Sequence, residues 1–299
     1  MTTTLITGAA GFTGRYLAKR LADQGHKVVG LLREPAKLME EGVSETHICD
    51  LANSAGLQAV LHQVQPDHVV HLAAIAFVAH DDLADMYQSN IVGLRNLLGA
   101  VEGLAQKPRS ILVASSANIY GNGRSGLLHE GMAPAPANDY GVTKVAGELV
   151  CQLMGKRLPI IVTRPFNYTG VGQSSSFLIP KIIDHVRRRA PQIELGNLDV
   201  ARDFSDVRMV VDAYARLLEE PAAIGGTFNV CSGEAISLGQ VLDSVRRLSG
   251  HDFAVRVNQA FVRADEVKSL CGDATRIQSV IGPLARVPLD DTLRWMLAA

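Results

Sequence analysis

Cysteine, net charge and long apolar runs are all scarce in this chain, and each scarcity excludes a class of protein. The four cysteines, Cys49, Cys151, Cys231 and Cys271, are far apart without Cys-x-x-Cys spacing, so no zinc site, disulfide framework or other metal site is predicted. The formal net charge of −1 gives no reason to expect binding to nucleic acid or to an anionic membrane. No apolar run approaches the roughly 18 residues of a membrane span.

The amino-terminal segment also lacks a targeting sequence. Neither a basic n-region nor an apolar h-region precedes the first strand-like run, which predicts a cytoplasmic protein. A short basic run, Arg187 to Arg189, is interpreted as a solvated helix face. With 299 residues, 47% hydrophobic and 20% charged, the chain has the composition of a globular enzyme and the length of one large or two intimate domains.

Strand-like and helix-like segments alternate through the first half. β-rich runs predict strands at 3–7, 27–32, 46–49, 68–72, 110–114 and 159–163, and helical apolar spacing predicts helices at 12–23, 57–64, 82–105 and 140–154. Alternation of this kind implies right-handed crossovers. We therefore expect an α/β fold with a doubly wound parallel sheet covered by helices on both faces.

The alternation breaks after Pro165. A polar, glycine-rich stretch at 167–176 predicts a loop, followed by helices at 179–189, 207–218, 238–248 and 290–296 and strands at 192–195 and 226–230. No internal repeat or low-complexity linker is present. We expect a larger domain of residues 1–165, to which 206–231 return, and a smaller mixed α/β lobe of residues 166–205 and 232–299.

The first predicted strand ends in a glycine-rich turn, GAAGFTG at 8–14. Gly8 permits a tight turn, Gly11 lets the backbone approach a pyrophosphate, and Gly14 lets the next helix lie close to the sheet. The helix then presents free N–H groups and the positive end of its dipole to the phosphates. Because the turn joins a strand to a helix, it predicts a dinucleotide site in the larger domain.

Tyr140 and Lys144 lie four residues apart, on one face of a predicted helix. A free phenol has a pKa near about 10, too high for efficient proton transfer at neutral pH. A neighbouring ammonium favours the phenolate, so Lys144 is expected to lower the pKa of Tyr140. The pair therefore predicts an acid–base centre.

The Gly-x-x-Gly-x-x-Gly turn together with Tyr-x-x-x-Lys resembles the extended branch of the short-chain dehydrogenase/reductase family. The segment VASSANIYG at 113–121 is similar to the family segment that carries a hydroxyl partner, here Ser116. The resemblance implies that Ser116, Tyr140 and Lys144 move a hydride between a nicotinamide dinucleotide and a substrate. Ala117 and Asn118 stand where the family's 4,6-dehydratases have acidic residues, so we expect reduction or oxidation rather than dehydration.

The resemblance also implies which residues contact the dinucleotide. Arg33 follows the second strand, where a carboxylate would favour NAD(H), and its guanidinium can pair with a 2′-phosphate, so NADPH is expected and NADH stays open. Glu34 is expected to face away. The implied contacts are Gly8, Gly11, Phe12, Thr13, Arg33, Asp50, Leu51, Leu72, Ala73, Ala74, Asn90, Tyr140, Lys144 and Pro165. His71 is interpreted as a structural strand residue.

Segments of the second half resemble the nucleotide-sugar branch of the family. RPFNYTGVGQ at 164–173 and RDF at 202–204 are similar to its general substrate segments, while GNLD at 196–199 and RADEV at 263–267 resemble enzymes acting on GDP-mannose derivatives. A guanidinium fork suits a diphosphate, which favours that role for two of the arginines. The implied substrate contacts are Phe77, Ser116, Ala117, Asn118, Asn167, Lys181, Leu195, Asn197, Arg202, Arg263 and Glu266.

The resemblance departs from the family pattern in two places. Ala264 replaces the usual proline, and Gly282-Pro283 stands where relatives often have Gly-Trp. The resemblance implies, as the expected reaction, reduction of the 4-keto group of GDP-4-keto-6-deoxy-D-mannose to GDP-D-rhamnose. Alternatives are a reductase forming GDP-6-deoxy-D-talose, a 4-epimerase that retains NAD⁺, a dTDP- or UDP-sugar substrate, and a regulator that senses NADP without catalysis. The resemblance further implies a homodimer joined through the helices at 82–105 and 140–154.

Overall fold

The computed structural model describes residues 1–35, 41–76, 82–123, 126–262 and 268–299. Within these ranges the strands, in chain order, are β1 Thr3–Thr7, β2 Lys27–Leu32, β3 Glu45–Ile48, β4 His68–His71, β5 Ser110–Ala114, β6 Leu127–Leu128, β7 Ile160–Pro165, β8 Asn167–Thr169, β9 Gln192–Leu195, β10 Ala201–Asp206, β11 Thr227–Val230, β12 Ala235–Ser237, β13 Ala254–Val257 and β14 Ser269–Gly272.

The α-helices alternate with these strands. They are α1 Phe12–Asp23, α2 Ser54–Val64, α3 Leu83–Tyr87, α4 Gly93–Glu102, α5 Asp139–Met154, α6 Leu178–Arg187, α7 Val207–Glu219, α8 Leu238–Ser249, α9 Thr275–Ile281 and α10 Leu289–Ala298. A π-helical turn at Gln88–Val92 joins α3 to α4, and a 3₁₀ turn at Ala117–Tyr120 follows β5. None of the helices in the described ranges is long and apolar enough to cross a membrane.

Seven parallel strands form the main sheet in the order β11-β7-β5-β4-β1-β2-β3. The predicted doubly wound α/β fold is therefore confirmed. The chain runs outward from β1 to β3 on one side and from β4 to β11 on the other, so the order reverses between β1 and β4. In such sheets ligands bind at this point, beyond the carboxyl ends of the strands.

Alternate residues of the central strands feed two separate cores. Leu5, Val69 and Ile111 pack on one face under α2, α4 and α5, whereas their neighbours in the sequence pack on the other face under α1 and α7. Because side chains of a strand point alternately to opposite faces, continuous apolar runs bury both sides of the sheet. The stiff sheet holds the carboxyl ends of its strands as a fixed edge.

The smaller lobe is built on β10, which pairs with β12, β14 and β8. The predicted loop at 167–176 is wrong at its start, because Asn167–Thr169 pairs with β10 as strand β8. The polar sequence of β10, ARDFSD, hid that strand, although it is buried from Asp203 to Asp206. Two further elements bridge the expected division: β6 pairs with β14, and α9 packs on β11 and α7.

The helix predicted at 82–105 is the largest difference among the other elements. It is divided by the π turn at Gln88–Val92 and ends at Glu102. A π turn inserts one extra residue into a helix and often marks a functional site. Here the inserted turn carries Asn90, whose side chain is buried.

Candidate active site

Residues predicted to bind the dinucleotide follow successive strands of the main sheet at its carboxyl edge. Gly8 follows β1, Arg33 follows β2, Asp50 lies shortly after β3, and Leu72 follows β4. Pro165 is the last residue of β7 and is buried. The parallel sheet thus brings residues that are far apart in the sequence to one edge.

The glycine turn is shaped by close backbone contacts. Gly8 has φ +72°, and a Cβ there would lie 2.9 Å from the backbone nitrogen of Ala73. At Gly14 a Cβ would lie 2.2 Å from the carbonyl oxygen of Gly8. Gly11 is the N-cap of α1, and no side chain caps the helix there. The turn is therefore a cradle that a side chain would fill, with N–H groups at its rim, which fits a pyrophosphate.

Tyr168, which sequence reasoning did not single out, forms a wall beside this cradle. Its ring stacks on Phe12, with centroids 6.0 Å apart and an interplanar angle of 14°. Its hydroxyl is 2.7 Å from the Oγ1 atom of Thr13. Tyr168 is visible in the segment RPFNYTG, but the sequence alone could not show that β8 packs beside the glycine turn.

Arg33 lies on the surface at the end of β2. Its Nε atom is 3.2 Å from Asp50 Oδ2, and its Nη1 atom is 3.7 Å from Asp85 Oδ1. Asp50 also accepts a hydrogen bond from the backbone of Ala52, whereas Leu51 is buried in the core. The arginine therefore lies beside the sheet edge, where its guanidinium could form an ion pair with the 2′-phosphate of a dinucleotide.

Asn90 connects the loop after β4 to the helix that carries the tyrosine. Its Oδ1 atom accepts from the backbone N–H of Ile75 (2.8 Å), and its Nδ2 atom donates to the Ile75 carbonyl and to Thr143 Oγ1 (both 3.1 Å). These bonds are all to protein groups. Asn90 therefore positions the loop that contains Leu72 to Ala74.

Helix α5 begins directly before Tyr140 because Asn138 caps it. The Asn138 side chain accepts from the backbone N–H of Gly141 (2.8 Å). A Cβ on Gly141 would lie 2.9 Å from the carbonyl oxygen of Asn118, so glycine permits close approach to the 3₁₀ turn after Ser116. This approach brings Tyr140 to Ser116.

Ser116 lies close enough to Tyr140 for its hydroxyl to hydrogen-bond the phenol, an interaction that lowers the pKa of Tyr140. Ser116 Oγ accepts from the backbone N–H and the side-chain Nδ2 of Asn118 (3.1 and 3.0 Å). Because these donors occupy its lone pairs, the Ser116 hydroxyl keeps its own proton available for donation. Asn118 is thus exposed yet serves to orient Ser116, while Ala117 packs in the core.

The expected effect of Lys144 on Tyr140 differs from the structure. Burial raises the pKa of Tyr140 well above its usual value, Tyr168 raises it further, and Ser116 opposes both. The Lys144 Nζ atom lies 5.6 Å from the centroid of the Tyr140 ring and donates to the carbonyl oxygen of Ala114 (2.7 Å). The ammonium is therefore below the ring, and the prediction that it lowers the phenol pKa is corrected.

His71 supports this centre without carrying charge. Burial and the nearby Lys144 lower the pKa of His71 to about 3, so its imidazole is neutral. Its Nδ1 atom is 2.9 Å from Thr7 Oγ1, which also accepts from the backbone N–H of Ala73 (3.2 Å). The His71–Thr7 hydrogen bond therefore joins β4 to β1 at the point where the strand order reverses.

The predicted substrate residues are spread over the smaller lobe. Asn167 is exposed at the start of β8, and Arg202 lies on β10 with Nη1 donating to the carbonyl of Ala201 (2.9 Å). Lys181 of α6 donates to the carbonyl of Glu194 (3.0 Å) and lies 4.4 Å from the centroid of the Phe261 ring. These three residues lie on β8, β10 and α6.

Two predicted substrate contacts have structural roles. Leu195 is 2% exposed within the core of the lobe, so its side chain is not available to a ligand. Asn197 accepts from the backbone N–H of Asp199 (3.1 Å) and shapes the turn there. Phe77, Arg263 and Glu266 lie outside the described residues. Across the described ranges, no group of three or more His, Cys, Asp or Glu side chains could hold a metal ion.

Comparison with curated proteins finds relatives of nearly the same length. A GDP-6-deoxy-D-talose 4-dehydrogenase from Aggregatibacter actinomycetemcomitans is 34% identical over 93% of this chain and 90% of its own. A GDP-6-deoxy-D-mannose reductase from Pseudomonas aeruginosa is 31% identical over 98% of this chain and 95% of its own.

Solved structures share the fold along the whole chain. A candidate epimerase from Burkholderia cenocepacia J2315 is 47% identical with a TM-score of 0.94, covering 99% of this chain and 97% of its own. RMD from Pseudomonas aeruginosa, complexed with NADPH, is 28% identical with a TM-score of 0.85, covering 100% and 97%.

The family model described as "NAD dependent epimerase/dehydratase family" matches residues 4–231. This range holds the glycine turn, Ser116, Tyr140 and Lys144. The resemblance to extended short-chain dehydrogenases/reductases and the expectation of an NAD(P)-dependent oxidoreductase are confirmed. The chain belongs to the NAD dependent epimerase/dehydratase family.

Proposed function

We propose that this protein uses NADPH to reduce the 4-keto group of GDP-4-keto-6-deoxy-D-mannose, forming GDP-D-rhamnose. The observation that carries the proposal is the grouping of Ser116, Tyr140 and Lys144 at the carboxyl edge of the sheet, beside a backbone cradle that fits a pyrophosphate. Curated relatives named for GDP-linked 6-deoxy sugars support the substrate class.

The side chains provide the proton and hold the reacting oxygen. The nicotinamide, when bound, supplies the hydride that adds to the C4 carbon. Tyr140 then donates its proton to the oxygen that gains negative charge, and Ser116 donates a hydrogen bond that orients it. Burial keeps Tyr140 protonated until an alkoxide forms, which suits its role as an acid.

The residues after Ser116 argue against elimination of water from the sugar. Dehydration needs a group that can remove a proton from carbon and return it elsewhere. Ala117 has no such group and packs in the core, and the amide of Asn118 is engaged with Ser116. The centre is therefore equipped for hydride and proton transfer to one carbonyl.

Cations of the smaller lobe are proposed to bind the GDP moiety. Arg202 and Lys181 suit the diphosphate, and Asn167 can donate to it from its exposed amide. The predicted contacts Arg263 and Glu266 are proposed to complete this site, on the diphosphate and on a ribose hydroxyl.

GDP-6-deoxy-D-talose is the second candidate product, because the relative named as its 4-dehydrogenase is 34% identical. The two products differ only in configuration at C4, which depends on which face of the carbonyl receives the hydride. A 4-epimerase would instead bind NAD⁺ tightly and show no net cofactor consumption.

The decisive experiment incubates the purified protein with NADPH and GDP-4-keto-6-deoxy-D-mannose. We expect stoichiometric loss of NADPH and a product whose proton NMR couplings at C4 are those of GDP-D-rhamnose. Couplings of the talose epimer would select the second candidate. Turnover of UDP- or dTDP-sugars without NADPH loss, and none with the keto sugar, would refute the reductase proposal.

We propose a homodimer as the functional form. Val142, Leu149 and Leu153 form an exposed apolar row along α5, and Val92 is exposed on the adjoining π turn. Apolar rows of this kind favour helix pairing between copies. Light scattering should give a dimer mass for the wild type and a monomer mass for Leu149→Glu/Leu153→Glu. A monomeric wild type would refute the homodimer.

A further inference from the structure

A buried ion pair lies one helical turn beyond Lys144 on α5. Arg164 of β7 donates from Nε to Glu148 Oε1 (2.9 Å) and from Nη2 to Oε2 (2.7 Å), and the two side chains are 7% and 14% exposed. Ser115, directly after β5, also donates to Glu148 Oε1 (2.5 Å). A bidentate pair fixes a carboxylate strongly in direction as well as position.

The guanidinium is itself held from its other side. Arg164 Nη1 donates to the Tyr120 hydroxyl (3.0 Å) and to the carbonyl oxygen of Glu130 (3.1 Å). The Tyr120 hydroxyl donates in turn to Asn229 Oδ1 (2.7 Å). The arginine therefore cannot turn away, and the carboxylate of Glu148 is fixed under the catalytic centre.

Burying two charges costs desolvation free energy, and such pairs are weak evidence for a purely stabilising role. The position of the Arg164–Glu148 pair suggests a role in the catalytic centre. A cavity of about 10 Å³, the volume that one water molecule needs, is lined by both Lys144 and Glu148, with Ser115 and His71 nearby in its wall. The catalytic lysine and the fixed carboxylate thus face one small enclosed space.

The other titratable groups described around Lys144 carry no charge at neutral pH. His71 of β4 has a pKa near 3, and burial raises the pKa of Cys151, on α5, to about 12. Tyr140 is protonated. Burial lowers the pKa of Lys144 to about 8. A Cys151 thiolate and the Glu148 carboxylate would both oppose that shift, but Cys151 is a neutral thiol at neutral pH. In this set the fixed carboxylate is the anion that opposes loss of the lysine proton.

We propose that Glu148 is a positioning residue of the catalytic centre: fixed by Arg164 and Ser115, its carboxylate holds the half-buried Lys144 side chain as an ammonium beneath Tyr140. The inference rests on the proposed role of Lys144 in hydride and proton transfer. Sequence spacing held the signal, because Lys144 and Glu148 are four residues apart on one helix face.

The test is a titration that needs no substrate, so its outcome is independent of which sugar is reduced. The protein is labelled with ¹³Cε-lysine, and the Lys144 resonance is assigned by its loss in Lys144→Met. In the wild type we expect a midpoint at about pH 8. In Glu148→Gln the midpoint should fall by about one pH unit or more, the usual effect of losing a near opposite charge. An unchanged midpoint in the folded variant overturns the proposal.

Two further variants make the result decisive. Glu41→Gln removes the carboxylate of an exposed ion pair with Lys19 and should leave the Lys144 midpoint unchanged. If Glu148→Gln does not fold, Glu148→Met/Arg164→Met replaces the whole pair by apolar side chains, an exchange that proteins often tolerate. It too should lower the midpoint. Failure of this double variant to fold, or an unshifted midpoint, would show a role in folding alone.

Discussion

The glycine turn and the catalytic centre lie on the same edge of the sheet, yet they are built in opposite ways. The turn depends on missing side chains, since a Cβ at Gly8 or Gly14 would enter neighbouring backbone. The centre depends on polar side chains, namely Ser116, which is buried, and Tyr140 and Lys144, which are half-buried. A binding site formed by backbone atoms should be insensitive to pH but should be disrupted by an added side chain. A site made of titratable groups tolerates neither the loss of a group nor a large change in pH.

The largest expected effect is at the centre. Tyr140→Phe removes the proton donor and should lower turnover by about 10²–10⁴-fold, the usual contribution of a general acid. The dissociation constant of NADPH, measured by nicotinamide fluorescence, should stay near the wild-type value because the glycine turn is untouched. Full turnover by this variant would refute the proposed role of Tyr140.

The centre should also make the fold sensitive to acid through His71. Its folded-state pKa of about 3 lies below its ordinary value of 6.5, so the unfolded chain takes up a proton first as the pH falls. The free energy of unfolding should therefore drop by about 3 kcal/mol from this residue between about pH 7 and pH 4.

The measurement is urea unfolding across that pH range. His71→Gln, which keeps a group for Thr7, should remove that part of the acid dependence. His62→Gln, at an exposed histidine of α2, is the matched control and should leave it unchanged. Equal acid dependence in all three proteins would mean that His71 does not couple proton uptake to unfolding.

The role of the glycine turn can be tested by adding a methyl group to it. Gly8→Ala places a Cβ against Ala73 at φ +72° and should weaken NADPH binding by about 10–100-fold, equivalent to about 1–3 kcal/mol of strain. Gly25→Ala is matched in backbone, with φ +85°, but has nothing within 4 Å of the added Cβ. It should lose some stability yet bind NADPH normally. Equal binding by both variants would contradict the cradle.

The smallest effect is expected at the exposed end of the cofactor site. Arg33→Ser removes a solvent-exposed charge and should weaken NADPH binding by about tenfold while leaving NADH binding unchanged. Parallel titrations of the two nucleotides measure the ratio. An equal effect on both would refute the assignment of Arg33 to the 2′-phosphate.

The sequence predicted the turn well because its requirement is local. Strand, glycine spacing and helix are adjacent in the chain, so β1 Thr3–Thr7 and α1 Phe12–Asp23 coincide with their predicted bounds. The parallel, doubly wound sheet also followed from the local strand–helix alternation, whereas the strand order comes from the structure. The predicted roles of Ser116, Tyr140 and Lys144 rest on spacing plus resemblance and remain predictions until the variants are measured.

What could not be predicted is tertiary. The meeting of Tyr168 with Thr13 joins residues far apart in the chain, and β10 is a buried strand with a polar sequence whose Asp203 accepts from Ser232 and Gly233. A prediction based on hydropathy would place such a polar strand at the surface. The pKa of Tyr140 is raised rather than lowered because burial, which depends on packing around the ring, is its largest influence.

The pairing of β6 with β14 has a consequence for how the protein is made. Leu127–Leu128 leaves the ribosome long before Cys271–Gly272, its partner strand, has been synthesised. The outer edge of β7 likewise stays unpaired until β11 has been synthesised. The growing chain can therefore assemble the strands around the glycine turn early, while the smaller lobe closes only when nearly the whole polypeptide has emerged. Cutting the gene at the apparent lobe boundary would give two fragments, each with a strand that has lost its partner.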